Sequence, residues 1–329
     1  MTNLVSVHGR LLQIDPVGGG LYHNGMPIGG GAFEKARTLK PRFVNSVSGQ
    51  SSVDGYSLNS PCSTLQAAID LADAASEDDL GSRIIILPNH SETITGAAGL
   101  TFDVDGMEIL GMGWGAQRPR FLMDAGTSVS ALVSGADVLC RNLEFASGHA
   151  DVVTCFDVTG KGFHLLDSEF GDNTTAENFK SIVKFSSTAN TSDGAQILRN
   201  RHYTPDAATL GFVLAVDDIK NLRLNDNTII SEGTGLATII TCATGKDLQG
   251  VEILSNFLSS KATAGNLAFS NDTASPNNSG IIAHNRIRHA DVTGGHVLGV
   301  VGGCGMFDNL SVSTDALSGF VIPAIDADS

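Results

Sequence analysis

ILRN at 197–200, LNDN at 224–227, ILSN at 253–256 and IAHN at 282–285 are four short segments that open on Leu or Ile and end on Asn. The pattern continues outward as LCRN at 139–142, HLLD at 164–167 and MFDN at 306–309. Alignment places Asn142, Asp167, Asn200, Asn227, Asn256, Asn285 and Asn309 in one column, with steps of 25, 33, 27, 29, 29 and 24 residues. Steps of this length and regularity mark successive coils of a repeat solenoid. Gly111, in EILGMG at 108–113, fits as a degenerate eighth member.

The residues around the column predict its geometry. Three positions before it stand Leu139, Ile197, Leu224, Ile253, Ile282 and Met306, with His164 as the exception, so this position is expected to face a stacked apolar core. Apolar residues return just after it, as Phe145, Phe170, Tyr203, Ile229, Leu258, Ile287 and Leu310. The implied unit is strand, bend, strand. Asn tolerates the left-handed backbone of a sharp bend, and stacked Asn side chains hydrogen-bond from coil to coil, so the column predicts an asparagine ladder. The fold class is all-β, a right-handed parallel β-helix. Leucine-rich repeats are the competing reading, but they require a Leu-x-x-Leu-x-Leu frame that no segment keeps. The Asn-, Asp-, Thr- and Ser-rich stretches at 171–180 and 270–279 are expected to bulge out as loops.

Ahead of the repeats, Ser63, Thr64, Leu65 and Gln66 read as a capping box in which Ser63 holds a helix amide and Gln66 reaches back. A capping helix is expected over about 63–75, with Leu65, Ile69 and Ala72 forming a lid on the first coil. RIIILP at 83–88 reads as the first buried strand. The stretch FVNSVSGQSSVDGYSLNSPCSTLQAAIDLA at 43–72, with IIILP at 84–88 and ILGMGWGAQRP at 109–119, resembles the opening region of right-handed parallel β-helix proteins. Related openings occur in pectate-lyase-like enzymes and in proteins of bacteriophage structural modules. The resemblance covers residues 43–329 and bears on fold far more than on function. It implies a structural virion protein on the particle surface, a capsid decoration of cement or head-spike type, homotrimeric and synthesised in the host cytoplasm. The alternative it implies is a tailspike or fibre that binds or cleaves host surface polysaccharide.

Residues 1–42 fall outside the repeat and read as an amino-terminal attachment arm. Over residues 1–46, Arg10, Lys35, Arg37, Lys40 and Arg42 stand against Asp15 and Glu34, a local excess of positive charge on a chain of formal net charge −15. These five residues are the candidate docking set for the major capsid protein or another virion protein. A loosely packed terminus is the plainer alternative. Asn24-Gly25, between two three-glycine runs, is a hairpin-turn signal.

The overall acidity argues against nucleic acid as a partner, since phosphate neutralisation needs a basic surface. The sequence contains neither a basic segment leading into an apolar core at its start nor an apolar run of about 18 residues, so neither a secretory signal nor a membrane span is expected. Cys62, Cys140, Cys155, Cys242 and Cys304 lack metal-binding spacing and read as reduced core residues.

Glycan-active β-helices work with paired carboxylates. Asp217 with Asp218, Asp226, and Asp103 with Asp105 are the nearest approaches, yet adjacent strand residues face opposite sides, and the polygalacturonase-like motifs are represented only by AspAsp at 217–218 and GlyGlyHis at 294–296. The nine histidines show no ligand spacing, and His164 reads as a core or interface histidine. Gly111, Gly113 and Gly115 lack the Lys-Ser/Thr of a phosphate loop and read as coil turns. No catalytic residue, metal site or cofactor is expected. One Trp and three Tyr are a sparse supply for sugar stacking.

Overall fold

The computed structural model describes the strands at 3–7, 10–14, 21–23 and 26–27, and residues 41–75, 82–174, 176–185, 188–205, 210–233, 237–261, 268–270, 277–289, 303–313 and 319–320. The chain divides into two compact units, Met1–Lys40 and Pro41–Ser329. In the first, Asn3–Val7, Arg10–Ile14, Leu21–His23 and Met26–Pro27 form an antiparallel four-stranded sheet. His23 pairs with Met26, as the hairpin signal expects, although Asn24 and Gly25 themselves lie outside the described residues.

The second unit is a parallel β-helix, with the right hand that parallel crossovers take. Its first sheet has ten strands, from Arg42–Val44 to Cys304–Phe307. The second sheet also has ten, from Ser91–Ile94 to Leu310–Ser313, ending in an antiparallel strand at Gly319–Phe320. The third has seven, from Leu100–Phe102 to Phe269–Ser270. Among the described residues, seven coils contribute to all three sheets and two more to the first two.

The strands alternate because one side of each meets the core. In the first sheet Cys140, Leu165, Ile197, Leu224, Ile253 and Ile282 pair in register, and all are buried. This corrects the sequence frame at two coils: the inward residues are Cys140 and Leu165, while Leu139 and His164 pair with each other on the outer side. The exception at His164 disappears once the frame is shifted by one. In the second sheet Phe121, Phe145 and Phe170 stack with ring centroids 5.2 and 5.8 Å apart. His202 follows them in register, and Ile229, Leu258 and Ile287 complete the file. His202 is therefore a core residue of its strand, whereas Tyr203, the apolar residue counted after this bend in the sequence, is 43% exposed.

The ladder forms, with a correction to its membership. The side-chain oxygens of Asn227, Asn256, Asn285 and Asn309 each accept from the backbone N–H and the Nδ2 of the preceding Asn, at 2.9–3.1 Å, linking Asn200 through Asn309. Each Nδ2 from Asn200 on also donates to a carbonyl one coil back, on Leu165, Ile197, Leu224, Ile253 and Ile282. Asn142 and Asp167 stand one position earlier and are not rungs. Ser168 occupies the rung, its N–H donating to Asn200 Oδ1 at 2.9 Å. The left-handed residues are Asn142, Asp167, Arg199, Asp226, Ser255, His284 and Asp308, with φ between 52° and 58°. Bending and laddering thus belong to adjacent positions, whereas the sequence reading gave both to one residue. Gly111 aligns with Asn142, and a Cβ on it would lie 2.2 Å from Asn142 O, so the close approach of two coils requires glycine there.

The capping helix α1 spans Leu65–Ala74 and buries Leu65, Ala68, Ile69 and Ala72. Its N-cap is Thr64, whose hydroxyl accepts from Ala67 N at 3.2 Å, so the expected Ser63 cap falls one residue early. Gln66 lies too near the cap to reach back; it bonds Asp70 and accepts from Thr101 N, tying the helix to the first coil. The first buried strand is Arg42–Val44, which pairs with Arg83–Ile86.

Candidate functional site

A surface groove grows from MGWG at 112–115. Gly113 and Gly115 take φ of 99° and 55°, values that favour glycine, and between them they turn Trp114 out of the coil. Trp114 is 81% exposed and Met112 49%. Together with Leu110 they border a groove of about 410 Å³ whose other wall is Arg141, Asn142 and Asp167, from the next two coils.

The polar side of this groove is tightly bonded. Asp167 accepts from Arg199 Nε at 2.7 Å and Arg141 Nε at 2.9 Å. Arg199 foremost, aided by Arg141, holds the Asp167 carboxyl below its ordinary range. Asn142 donates to Gly111 O and Gly113 O, and accepts from Arg118 Nε at 3.0 Å. The largely buried Arg118 also pairs with Glu169 at 2.8 Å. A carboxylate clamped by two guanidiniums is a poor proton donor or acceptor at neutral pH. An aromatic face beside a guanidinium and a carboxamide instead suits stacking and hydrogen bonding to a polar ring.

The acids singled out in the sequence serve the coils. Asp217 accepts from Lys246 Nζ at 2.7 Å, which holds it below the usual carboxylate range, and from Asp218 N at 2.8 Å. Asp218 accepts from Asp247 N, and Asp105 from Ala136 N. Asp226 occupies a left-handed bend. GlyGlyHis at 294–296 lies outside the described residues. Among the described residues no group of three His, Cys, Asp or Glu side chains is placed to hold a metal ion. His164 is half-buried on the outer face, its pKa lowered by desolvation. All five cysteines are free thiols, four of them buried and Cys304 partly so.

Lys35, Arg37 and Lys40 of the docking set lie outside the described residues, and Arg10 is placed only as the first residue of a strand. Arg42 requires a correction. It aligns with the buried Ile84, is itself 3% exposed, donates to Leu71 O at 3.1 Å and lies 4.5 Å over the Tyr56 ring. Its guanidinium closes the end of the stack beneath α1 and is not available for docking. Sequence reasoning passed over Trp114 because its flanking glycines already accounted for the segment as a turn; a lone Trp between glycines was the available signal.

The fold and surface together define the class of the second unit as a parallel β-solenoid protein with an internally bonded exterior and an aromatic-rimmed groove. No family model, curated protein or solved structure matches the chain.

Proposed function

We propose that this is a structural protein of a bacteriophage virion, a β-helical capsid decoration attached through its amino-terminal region. The observation that carries the reading is where the polar groups go. The file of asparagines and the bonds of Arg118, Asp167 and Asp217 join one coil to another, so the chemistry visible on the stack serves rigidity. The likeness of residues 43–329 to β-helix proteins of phage structural modules supplies the setting. The positive charge at Arg10, Lys35, Arg37 and Lys40 supplies an attachment chemistry on an otherwise acidic chain. Deleting residues 1–40 and measuring cosedimentation with particles lacking the protein tests this: binding should be lost, and undiminished binding refutes the attachment.

The second reading, a tailspike-like glycan binder, is favoured by Trp114 alone. As the only Trp in the chain, it reports its own occupancy. A saturable fluorescence change on titration with host surface polysaccharide supports that reading, and release of oligosaccharides would replace the structural one.

A further inference from the structure

The first sheet carries apolar residues on both of its sides, mixed on the outer one with charged and polar residues. One side is the core. On the other, Ile85, Leu110, Leu166, Leu198, Leu254 and Phe307 fall in a single register file. Leu139 and Ile281 flank it in the neighbouring outward file, which otherwise holds Arg83, Glu108, His164, Gln196, Arg223 and Glu252. The file is interrupted by Arg141 and Asn225, and both are already bonded within the chain, Arg141 to Asp167 and Asn225 to Glu252. The second sheet differs: its outward positions include Arg120, Glu144, Glu169 and Arg201 in register. The third presents Asp157 and Lys184, joined as an ion pair. Parallel strands with apolar residues on both sides belong to sheets covered on both faces.

We infer that the outward face of the first sheet is a self-association surface, covered by a second copy of this chain. Size favours that occupant. The outward face crosses nine coils, so at about 4.8 Å per coil and about 13 Å per four-residue strand its footprint, apolar and polar positions together, is on the order of 500 Å². Trp114, at its rim, adds roughly 200 Å². The sum approaches the roughly 800 Å² per partner of a stable interface. The longest described strands of the Met1–Lys40 unit have five residues, about 17 Å, less than half the length of the file. A second copy carries the same stripe at the same coil spacing. Charge permits the contact as well: the outward side chains of this sheet comprise Arg83, Arg141 and Arg223 against Glu108 and Glu252, a nearly neutral face on a chain of net charge −15.

The test is the solution mass of the full chain by light scattering coupled to size exclusion, for the wild type, Leu166→Glu/Leu198→Glu and Ile281→Lys. The wild type should run at a multiple of 34.1 kDa. The double variant should run as one chain with an unchanged far-ultraviolet spectrum. Should it fail to fold, Ile281→Lys, at a site 44% exposed, still weakens the assembly. A wild type that stays a single chain at micromolar concentration, or an assembly indifferent to both substitutions, overturns the inference. So does a single chain whose dye-binding apolar face appears only after residues 1–40 are deleted, since the cover would then be its own. Particle attachment is read separately, so either proposal can fail without the other.

Discussion

Truncating Asn256 to Ala removes four hydrogen bonds from the interior of the stack. Its Oδ1 accepts from Asn227 N and Nδ2, both at 3.0 Å, and its Nδ2 donates to Leu224 O at 2.6 Å and Asn285 Oδ1 at 3.0 Å. The Asn227 side-chain amide keeps Ile197 O, and Asn285 Oδ1 keeps Asn256 N. The Asn227 backbone N–H, in a residue 1% exposed, loses its acceptor. One stranded buried donor costs about 1–3 kcal/mol and each of the three further bonds about 0.5–1.5, so the total is roughly 2.5–7.5 kcal/mol. Asn225→Ala, two residues before Asn227 and on the half-exposed outer face, loses bonds to Glu252 and Leu254 N that water replaces, and should cost about 1 kcal/mol. Asn256→Asp separates geometry from electrostatics. It keeps the acceptors but sets an oxygen against Leu224 O, and burial raises the pKa of the new carboxyl. A raised folded-state pKa makes the variant least stable above that pKa, with stability returning as pH falls through it. Urea unfolding of all three variants, each referred to wild type at the same pH, is the assay. Equal midpoints for Asn256→Ala and Asn225→Ala, or an Asn256→Asp penalty unchanged between pH 8 and about 5, would refute the claim that the file is a bonded ladder.

Three further perturbations test the packing. His202 is fully buried, and burial lowers its pKa to about 3; the unfolded chain takes up the proton near 6.5, so stability is lost as pH falls from about 6.5 toward 3, by about 2 kcal/mol at pH 5. His202→Leu should flatten that part of the pH–stability profile, and an unaltered slope contradicts the assignment. Ser255 holds φ of 57° with an exposed side chain; Ser255→Gly should raise the unfolding free energy by about 0.5–1 kcal/mol, whereas a loss would show that Ser255 is not strained. Burial pushes the Cys140 and Cys155 thiols up, Cys242 to about 12 and Cys304 to about 11, so a disulfide reagent at pH 8 should label none of these four quickly in the native state and all five cysteines in denaturant.

The coil period was legible because apolar residues and asparagines recur together; the frame was legible only where both signals agree. From Asn200 onward they do, and the inward column at Ile197, Leu224, Ile253 and Ile282 is as the sequence predicts. Two coils earlier, Asn142 and Asp167 occupy the bend while Leu143 and Ser168 stand where the rung falls, and a residue type that serves both positions cannot say which one it fills. In a strand that ambiguity is not small, since one step exchanges the core side for the outer side, Leu165 for His164. Arg42 shows the same limit in another form: its charge grouped it with the arm, and only its pairing opposite Ile84 places it inside. The groove beside Trp114 joins residues 110 to 167, a contact that exists only after three coils have stacked. Yet the most consequential surface property was printed in the strands all along. RIII at 83–86, HLL at 164–166 and QIL at 196–198 offer apolar side chains to both sides where a half-exposed strand would alternate. A solenoid fills its own interior, so the second apolar side is surplus to folding a single copy, and its physical explanation lies in what comes to rest against it.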